Sequence, residues 1–219
     1  YLYALTGTDH GGNPSTISTI VKVDTTAPSA PTITLSGATG STFISGTTAY
    51  VNAQAGKSGG FTTTATSLDN DSGIASIAFP SLTGFTSGGG SVTSSPFTTT
   101  YAWSGAVGAS GSQTVTVTNG AGGTTSGSFT VTPDTAGPTG GALTVNATAA
   151  SSGGSTSTNT SGSFTIGTRT DYSADAGSGV ASSVLTLQTA PLTGSTCGTF
   201  GSPATITGNP NQSGLTTGC

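Results

Sequence analysis

Residues 24–28 read Asp-Thr-Thr-Ala-Pro and residues 134–138 read Asp-Thr-Ala-Gly-Pro, so one short stretch occurs twice, 110 positions apart. The same gap-free shift of 110 places Asp9 on Asn119. Proline disfavours helix in the residue before it, and Thr and Asp favour turns. Each stretch therefore predicts an extended joint between two folded units, and the sequence predicts a tandem array.

The joints divide the chain into three segments. Residues 24–133 are expected to be one complete unit, and residues 134–219 a second unit that lacks its last two strands. Residues 1–23 align with the end of the complete unit, so we interpret them as the C-terminal hairpin of a preceding or neighbouring-subunit unit. Natural proteins avoid exposed sheet edges, so a hairpin of this kind is expected to complete residues 134–219. It would come from further along a longer polypeptide or, by strand addition, from another subunit.

Residues 1–23 have the alternating pattern of a β-hairpin. Apolar residues alternate before a turn at residues 9–14 and again after it. Alternation of this kind predicts two strands with one apolar face each. The residues expected to complete a neighbouring sandwich are Tyr1, Tyr3, Leu5, Val21 and Val23.

The rest of the chain contains short alternating runs separated by Gly, Ser and Pro. No window has the apolar period of a helix, and Gly and β-branched residues disfavour one. Many short strands between turn residues are typical of an immunoglobulin-like sandwich. The sequence predicts an all-β chain of tandem antiparallel immunoglobulin-like β-sandwiches with almost no helix. Strands are expected at 32–35, 49–53, 61–65, 74–79, 101–103, 114–118 and 128–132, and in the second unit at 142–145, 163–167 and 180–187.

Charged residues are scarce, at 5% of the chain, and the net charge is −4. An average soluble domain has about 25% charged residues, so the surface here must be Ser, Thr, Asn and Gly, which suits an extracellular protein. Three basic residues leave no patch for phosphate backbones or anionic lipid. No apolar run approaches the ~20 residues that span a bilayer. We expect no nucleic-acid partner and no membrane insertion in this segment.

The two cysteines are Cys197 and Cys219, and they flank a connection rich in Gly and Pro. The simplest interpretation is a disulfide in an oxidising compartment. Two buried free thiols and a metal pair are the alternatives.

Three motifs together carry a family resemblance. They are the joint at Asp24, the run 6–9 that closes on Gly12-Asn13, and the step Asp-Ser-Gly-Ile at 71–74, which recurs as Gly-Ser-Gly-Val at 177–180. The chain resembles, over essentially its whole length, the bacterial immunoglobulin-like (Big-type) tandem repeats of large cell-surface adhesins and extracellular stalk proteins.

The resemblance implies a non-enzymatic structural repeat protein at the cell surface or outside the cell. Its units would join head to tail, with copies of itself or further repeats, into a stalk or filament. Adhesion to a glycan or host-surface ligand is a further role of such repeats.

The resemblance also implies calcium at the first joint. All seven acidic residues are Asp, and they lie at turns and joints. Ca²⁺ takes six to eight oxygen ligands in flexible geometry. The predicted ligands are Asp9, Asn13, Asp24, Asp69 and Asp71. The alternative is that these residues are turn formers that bond their own backbone.

The sequence contains no supported catalytic constellation. The single histidine, His10, lies in a turn beside Asp9, which is poorly placed to orient it in a triad. We therefore expect no enzymatic activity. The alternative function is a carbohydrate-binding or spacer module of a secreted multidomain hydrolase, in which exposed aromatic rings stack on sugars. The candidate rings are Tyr50, Tyr101, Trp103 and Tyr172, although Trp103 is expected in the core.

Overall fold

The structure is a computed structural model that describes residues 1–208 and 210–219. Nineteen strands and no helix occur in these residues, and the strands form several antiparallel sheets. This confirms the prediction of an all-β chain with almost no helix. Nowhere in the described part of the chain is there a helix long and apolar enough to cross a membrane. The chain divides into two compact units, Tyr1–Thr135 and Ala136–Cys219.

The first two strands, β1 (Leu2–Thr8) and β2 (Pro14–Ile20), form an antiparallel hairpin. Gly12 in its turn has a φ of 87°, a left-handed conformation that glycine adopts without steric cost. Every residue from 1 to 23 is exposed to solvent. The hairpin is therefore formed at the predicted place, and both of its faces are uncovered.

The rest of the first unit consists of two sheets. The four-stranded sheet has the order β3 (Thr32–Gly40), β6 (Ser58–Thr66), β10 (Thr98–Ser104) and β8 (Phe85–Ser87). The six-stranded sheet has the order β4 (Thr42–Ser45), β5 (Thr48–Val51), β12 (Thr124–Pro133), β11 (Gly111–Asn119), β7 (Ile74–Phe79) and β9 (Gly90–Val92). Neighbouring strands are antiparallel, except that β5 and β12 are parallel. Six of the seven strands predicted between the joints lie within these elements, and the strand predicted at 49–53 ends earlier, at Val51.

The core lies between these two sheets, because the inward residues of their alternating strands are apolar. The ring of Phe129 in β12 packs 6.0 Å from that of Phe61 and 5.8 Å from that of Tyr101 in the facing sheet. Trp103 is 2% exposed, as expected, and its indole N–H donates to Thr42 Oγ1 at 2.9 Å. Burial of each large apolar side chain stabilises the fold by roughly 1.5–3 kcal/mol.

The second unit has short strands in small sheets. Its predicted strand at 142–145 is present, the one at 163–167 begins later, at Ile166, and the one at 180–187 is a strand only at its end. Of sixteen buried hydrophobic residues in the described parts of the chain, fifteen belong to the first unit and one, Ala190, to this unit. That residues 134–219 form an immunoglobulin-like sandwich stays a prediction. The strands are β13 (Ala142–Val145), β14 (Thr148–Ala149), β15 (Ile166–Thr170), β16 (Thr186–Leu187), β17 (Leu192–Thr193), β18 (Thr196–Cys197) and β19 (Ala204–Thr205).

The second unit contains the predicted disulfide between Cys197 and Cys219, whose Cα atoms lie 5.8 Å apart. Beside it, Ala190 and Cys219 exchange two backbone hydrogen bonds of 2.8 Å. The disulfide and this backbone pair fix the segment that ends at Cys219 to residues 190–197.

Candidate functional site

Two turns in the chain have the same hydrogen-bond pattern: the Asp9 turn (residues 9–13) and the Asn119 turn (residues 119–123). In both, the first residue's N–H donates to the fifth residue's carbonyl, at 3.1 and 2.9 Å, and the fourth residue's N–H donates to the first residue's carbonyl, at 3.0 and 3.1 Å. The fifth residue's N–H donates to the side-chain Oδ1 of the first, at 2.8 and 2.6 Å. Asp9 and Asn119 are therefore equivalent in structure as well as in sequence.

The strands that flank these turns are also equivalent. After a shift of 110, the seven consecutive residue pairs of β1 and β2 coincide with seven consecutive pairs of β11 and β12. A cross-strand hydroxyl pair recurs at the matching place, Thr6 with Thr16 at 2.8 Å and Thr116 with Ser126 at 3.2 Å. Residues 1–23 thus form a second copy of the β11–β12 hairpin, which is the last hairpin along the chain of the first unit.

The two hairpins differ in what covers them. Val115 and Val131 are fully buried in the first unit's core, whereas their equivalents, Leu5 and Val21, are 69% and 43% exposed. The same side of the hairpin carries further apolar residues, and we call it the apolar hairpin face. Its members are Tyr1, Tyr3, Leu5, Ile17 and Val21, and Val23 follows at 63% exposed.

A group of aspartates surrounds the first joint. Asp24 Oδ1 accepts a hydrogen bond from the Thr26 N–H at 2.9 Å, and Thr26 Oγ1 lies 2.8 Å from both Asp24 Oδ1 and Asp71 Oδ2. Ser72 Oγ donates to Asp24 Oδ2 at 2.5 Å. Asp69 Oδ1 accepts from the backbone N–H groups of Asp71 and Ser72, at 3.1 and 2.8 Å. The joint is therefore bonded to the loop of residues 69–74, which we call the Asp69 loop.

The Asn119 side chain joins this group to the end of the unit. Asn119 is 2% exposed, and its Nδ2 lies 3.0 Å from Asp24 Oδ2, 3.0 Å from Asp69 Oδ2 and 2.9 Å from the Thr26 carbonyl oxygen. Its Oδ1 accepts from two N–H groups of its own turn. A buried amide with all its groups bonded fixes the joint, the Asp69 loop and the last hairpin in one arrangement.

These hydrogen bonds favour the charged form of the carboxylates. The Asn119 amide lowers the pKa of Asp69, and the Ser72 hydroxyl, with smaller contributions from Thr26, lowers the pKa of Asp24. In the exposed hairpin, the Asn13 side chain lowers the pKa of Asp9. All three side chains are therefore anionic near neutral pH.

The predicted calcium ligands fall into two groups. Asp24, Asp69 and Asp71 lie together at the first joint, whereas the hydrogen bonds of Asp9 stay within its own turn, where Asn13 Nδ2 donates to its Oδ2 at 2.9 Å.

The first group does not fit a calcium site, because the Asn119 amide nitrogen lies between the oxygens of Asp24 and Asp69. Calcium requires oxygen ligands around that space and not an N–H donor within it. Among the residues that the structure describes, no three His, Cys, Asp or Glu side chains form a group that could hold a metal ion.

Two of the aromatic candidates for sugar binding are buried. Trp103 and Tyr101 lie in the core, and burial raises the pKa of Tyr101. Tyr50 is half-buried beside Phe43, with 6.1 Å between ring centroids, and Tyr172 is 49% exposed.

Sequence reasoning missed Asn119, the residue that unites this site. It aligned Asn119 with Asp9 and gave Asn119 no role of its own. The available signal was an amide, isosteric with the carboxylate, at a turn position that follows a strand. No protein-family model, no curated protein and no solved structure matches the chain.

Proposed function

We propose that the protein is a non-enzymatic extracellular structural protein whose tandem immunoglobulin-like sandwiches join head to tail in a stalk or filament. One observation carries the proposal. Residues 1–23 repeat the register and turn of the hairpin that completes the first unit, yet their apolar face is exposed. In this account the hairpin completes residues 134–219 of the adjacent copy in the array, by strand addition. A contact of this kind is heterologous and does not close, so it produces a filament.

The hairpin's side chains suit the inside of such a sandwich. In the first unit the pair Gln113–Phe129 contributes one aromatic ring to the core, from β12. At the equivalent pair, Tyr3–Thr19, the aromatic ring belongs to the other strand. Each of the two pairs therefore has one aromatic ring, and the two rings fill a similar volume between the sheets.

A second difference lies at the residue opposite Leu5 in the hairpin, and opposite its equivalent Val115 in the first unit. In the first unit this residue is Gly127, where an added Cβ would lie 3.0 Å from Pro31 Cγ. The hairpin has Ile17 at the equivalent position, and the sequence counterpart of Pro31 in the second unit is Gly141. The proline ring is therefore absent at the place where Ile17 would dock, and the Tyr172 ring lies against Gly141 there, with its Cζ 2.7 Å from the position of an added Cβ.

The second unit has an open groove whose lining is apolar in part and polar in part, and a docked hairpin would cover its apolar part. The groove has a volume of about 870 Å³ and is lined in part by Val145, Phe164, Leu187 and Leu215. Val145 is the counterpart of Leu35, which packs against the core of the first unit. We infer that the groove is the unfilled part of a core, and that its occupant is the apolar hairpin face.

Other features agree with this role. The disulfide favours an oxidising compartment, outside the cell or at its surface. The partners in this account are further copies of the same chain. The alternative of a carbohydrate-binding module is less favoured, because Trp103 and Tyr101 are buried and unable to stack on sugars.

Self-association of the full chain tests the proposal by sedimentation velocity over a range of concentrations. We expect head-to-tail oligomers whose mean size grows with concentration. The variant Leu5→Asp places a charge on the apolar hairpin face and is expected to remain monomeric. The matched control is Ala4→Asp, which places the same charge on the opposite face of the same strand and is expected to associate like the parent chain.

The proposal is wrong if the parent chain stays monomeric at all concentrations, or if both variants associate as the parent does. Trp103, the single tryptophan, reports whether the first unit is folded in each variant. Because every residue of the hairpin is exposed in the structure, the melting curve of the first unit should be the same in the parent chain and in both variants.

A further inference from the structure

The Asp69 loop has a counterpart in the second unit, the Asp175 loop (residues 175–180). Asp69 Oδ1 accepts from the N–H of Gly73 at 3.1 Å, and Asp175 Oδ1 accepts from the N–H of Gly179 at 2.9 Å. The two glycines have φ values of 73° and 82°. Directly before each loop, the carbonyl of the preceding residue accepts a matching backbone hydrogen bond, at 2.9 Å from Ser29 and 2.7 Å from Thr139. The second unit therefore already presents the loop to which Asn119 bonds in the first unit.

The residue that would meet this loop differs between the two hairpins. Asn119 turns its Oδ1 toward its own turn and its Nδ2 toward Asp69 Oδ2, 3.0 Å away. Asp9 likewise turns Oδ1 toward its own turn, so its second atom, in the place of the amide nitrogen, is the carboxylate Oδ2, which accepts a hydrogen bond from the Asn13 side chain at 2.9 Å. A donor in one hairpin is thus replaced by a charged acceptor in the other.

We propose that the Asp175 loop of one copy binds the Asp9 turn of the next. Asp9 makes this contact between copies weaker than the contact of the Asn119 turn with the Asp69 loop within a chain. The inference rests on the proposed head-to-tail assembly. A docked Asp9 directs a carboxylate oxygen at the Asp175 side chain, where Asn119 directs an N–H at Asp69. Two carboxylates in contact repel each other, whereas an amide and a carboxylate form a charge-assisted hydrogen bond.

None of the second-unit counterparts of the residues around Asn119 is a cation, and the basic residue of the second unit, Arg169, is already paired with Asp171 at 2.9 Å. The sequence counterpart of Asp24 is Asp134, which adds a further negative charge. The counterpart of Asp71 is Gly177, which has no charge, and the one titratable neighbour of Asp9 within its turn is His10. Within a chain, the contact of the Asn119 turn with the Asp69 loop is therefore stabilised by amide hydrogen bonds. Between copies, the contact of the Asp9 turn with the Asp175 loop is stabilised by apolar burial and weakened by electrostatic repulsion. A filament built in this way exchanges subunits at the contacts between copies, whereas the contact of the Asn119 turn with the Asp69 loop within each chain stays intact.

The substitution Asp9→Asn tests this on the full chain, since it restores the amide found at position 119. We expect the association constant, measured by sedimentation at neutral pH, to rise about tenfold or more, because a repulsive contact becomes a hydrogen bond to a charged group. Asp171→Asn removes the same charge from an exposed side chain that is paired with Arg169 at 2.9 Å, and it is the control, expected to leave the constant within about twofold because an exposed ion pair contributes little. The parent chain should associate more strongly as pH falls into the range where carboxylates titrate, and Asp9→Asn should show little of this dependence.

The outcomes separate the two proposals. If association depends on Leu5 and is unchanged by Asp9→Asn at every pH, the Asp9 turn does not meet the Asp175 loop and this inference is wrong, while head-to-tail assembly stands. If the parent and Asp9→Asn are both monomeric, the assembly itself is refuted. The reciprocal variant Asn119→Asp should lower the melting temperature of the first unit at neutral pH, and an unchanged melting temperature would also contradict the inference.

Discussion

The equivalent valines of the two hairpins allow one substitution to be made in two environments. Val131 is fully buried in the first unit's core, and Val21, at the same register position, is 43% exposed. Val131→Ala removes two carbons, worth about 0.8 kcal/mol each by transfer, or roughly 1.6 kcal/mol. The cavity left behind adds up to about 1 kcal/mol. The first unit should lose about 1.6 to 2.6 kcal/mol of stability, equivalent to a fall of roughly 6 to 10 °C in melting temperature.

The control is Val21→Ala, which should change stability by less than about 0.5 kcal/mol in dilute, unassociated protein, because it opens no cavity. The assay is thermal and urea unfolding followed by the fluorescence of Trp103, which lies within the first unit. Equal losses in the two variants would refute the reasoning, since they would mean that the 1–23 hairpin is as buried as its equivalent. A negligible loss for Val131→Ala would refute the described core.

Three further predictions concern the disulfide, the joint and metal. Reduction of the bond between Cys197 and Cys219, or Cys197→Ser, should destabilise the second unit by about 3 kcal/mol on loop-closure grounds, seen as faster proteolysis after residue 136, with the Trp103 unfolding curve unchanged. The lowered pKa values of Asp24 and Asp69 mean that their stabilisation is complete above the ordinary aspartate pKa of about 3.9 and is lost as pH falls through the lowered values. Acid titration of fluorescence should therefore show the first unit weakening below about pH 4, and stability that rises on acidification would contradict this. Because an amide occupies the space between these carboxylates, chelator should leave the melting temperature of the first unit unchanged, and a fall restored by Ca²⁺ would revive the calcium site.

The sequence predicted what depends on local pattern. The hairpin at 1–23 and the strands between the joints follow from alternation and turn residues close together in the chain. The strand expected at 180–187 forms only at Thr186–Leu187, because alternation makes a strand only where a partner strand is available to accept its hydrogen bonds. Val184 in this segment is 59% exposed.

The arrangement at the joint could not be predicted in the same way. Asp24, Asp69 and Asn119 are separated by tens of residues, so their convergence is decided by the tertiary packing of two sheets. The sequence showed which positions repeat, and it placed carboxylates at the joint. It did not show that the Asn119 amide lies between these carboxylates. The position of this amide decides whether they form a metal site or a hydrogen-bonded cluster. That choice depends on which atom of Asn119 faces inward, and its turn fixes this by bonding Oδ1.

The central claim is that the 1–23 hairpin of one copy completes the second unit of another. Electron microscopy of the concentrated full chain tests it most directly. The account predicts unbranched filaments with one chain per axial repeat and two sandwich-sized bodies in each repeat, and predicts that Leu5→Asp abolishes them. Isolated particles of single-chain size at every concentration of the parent chain, or filaments that Leu5→Asp leaves intact, would contradict it.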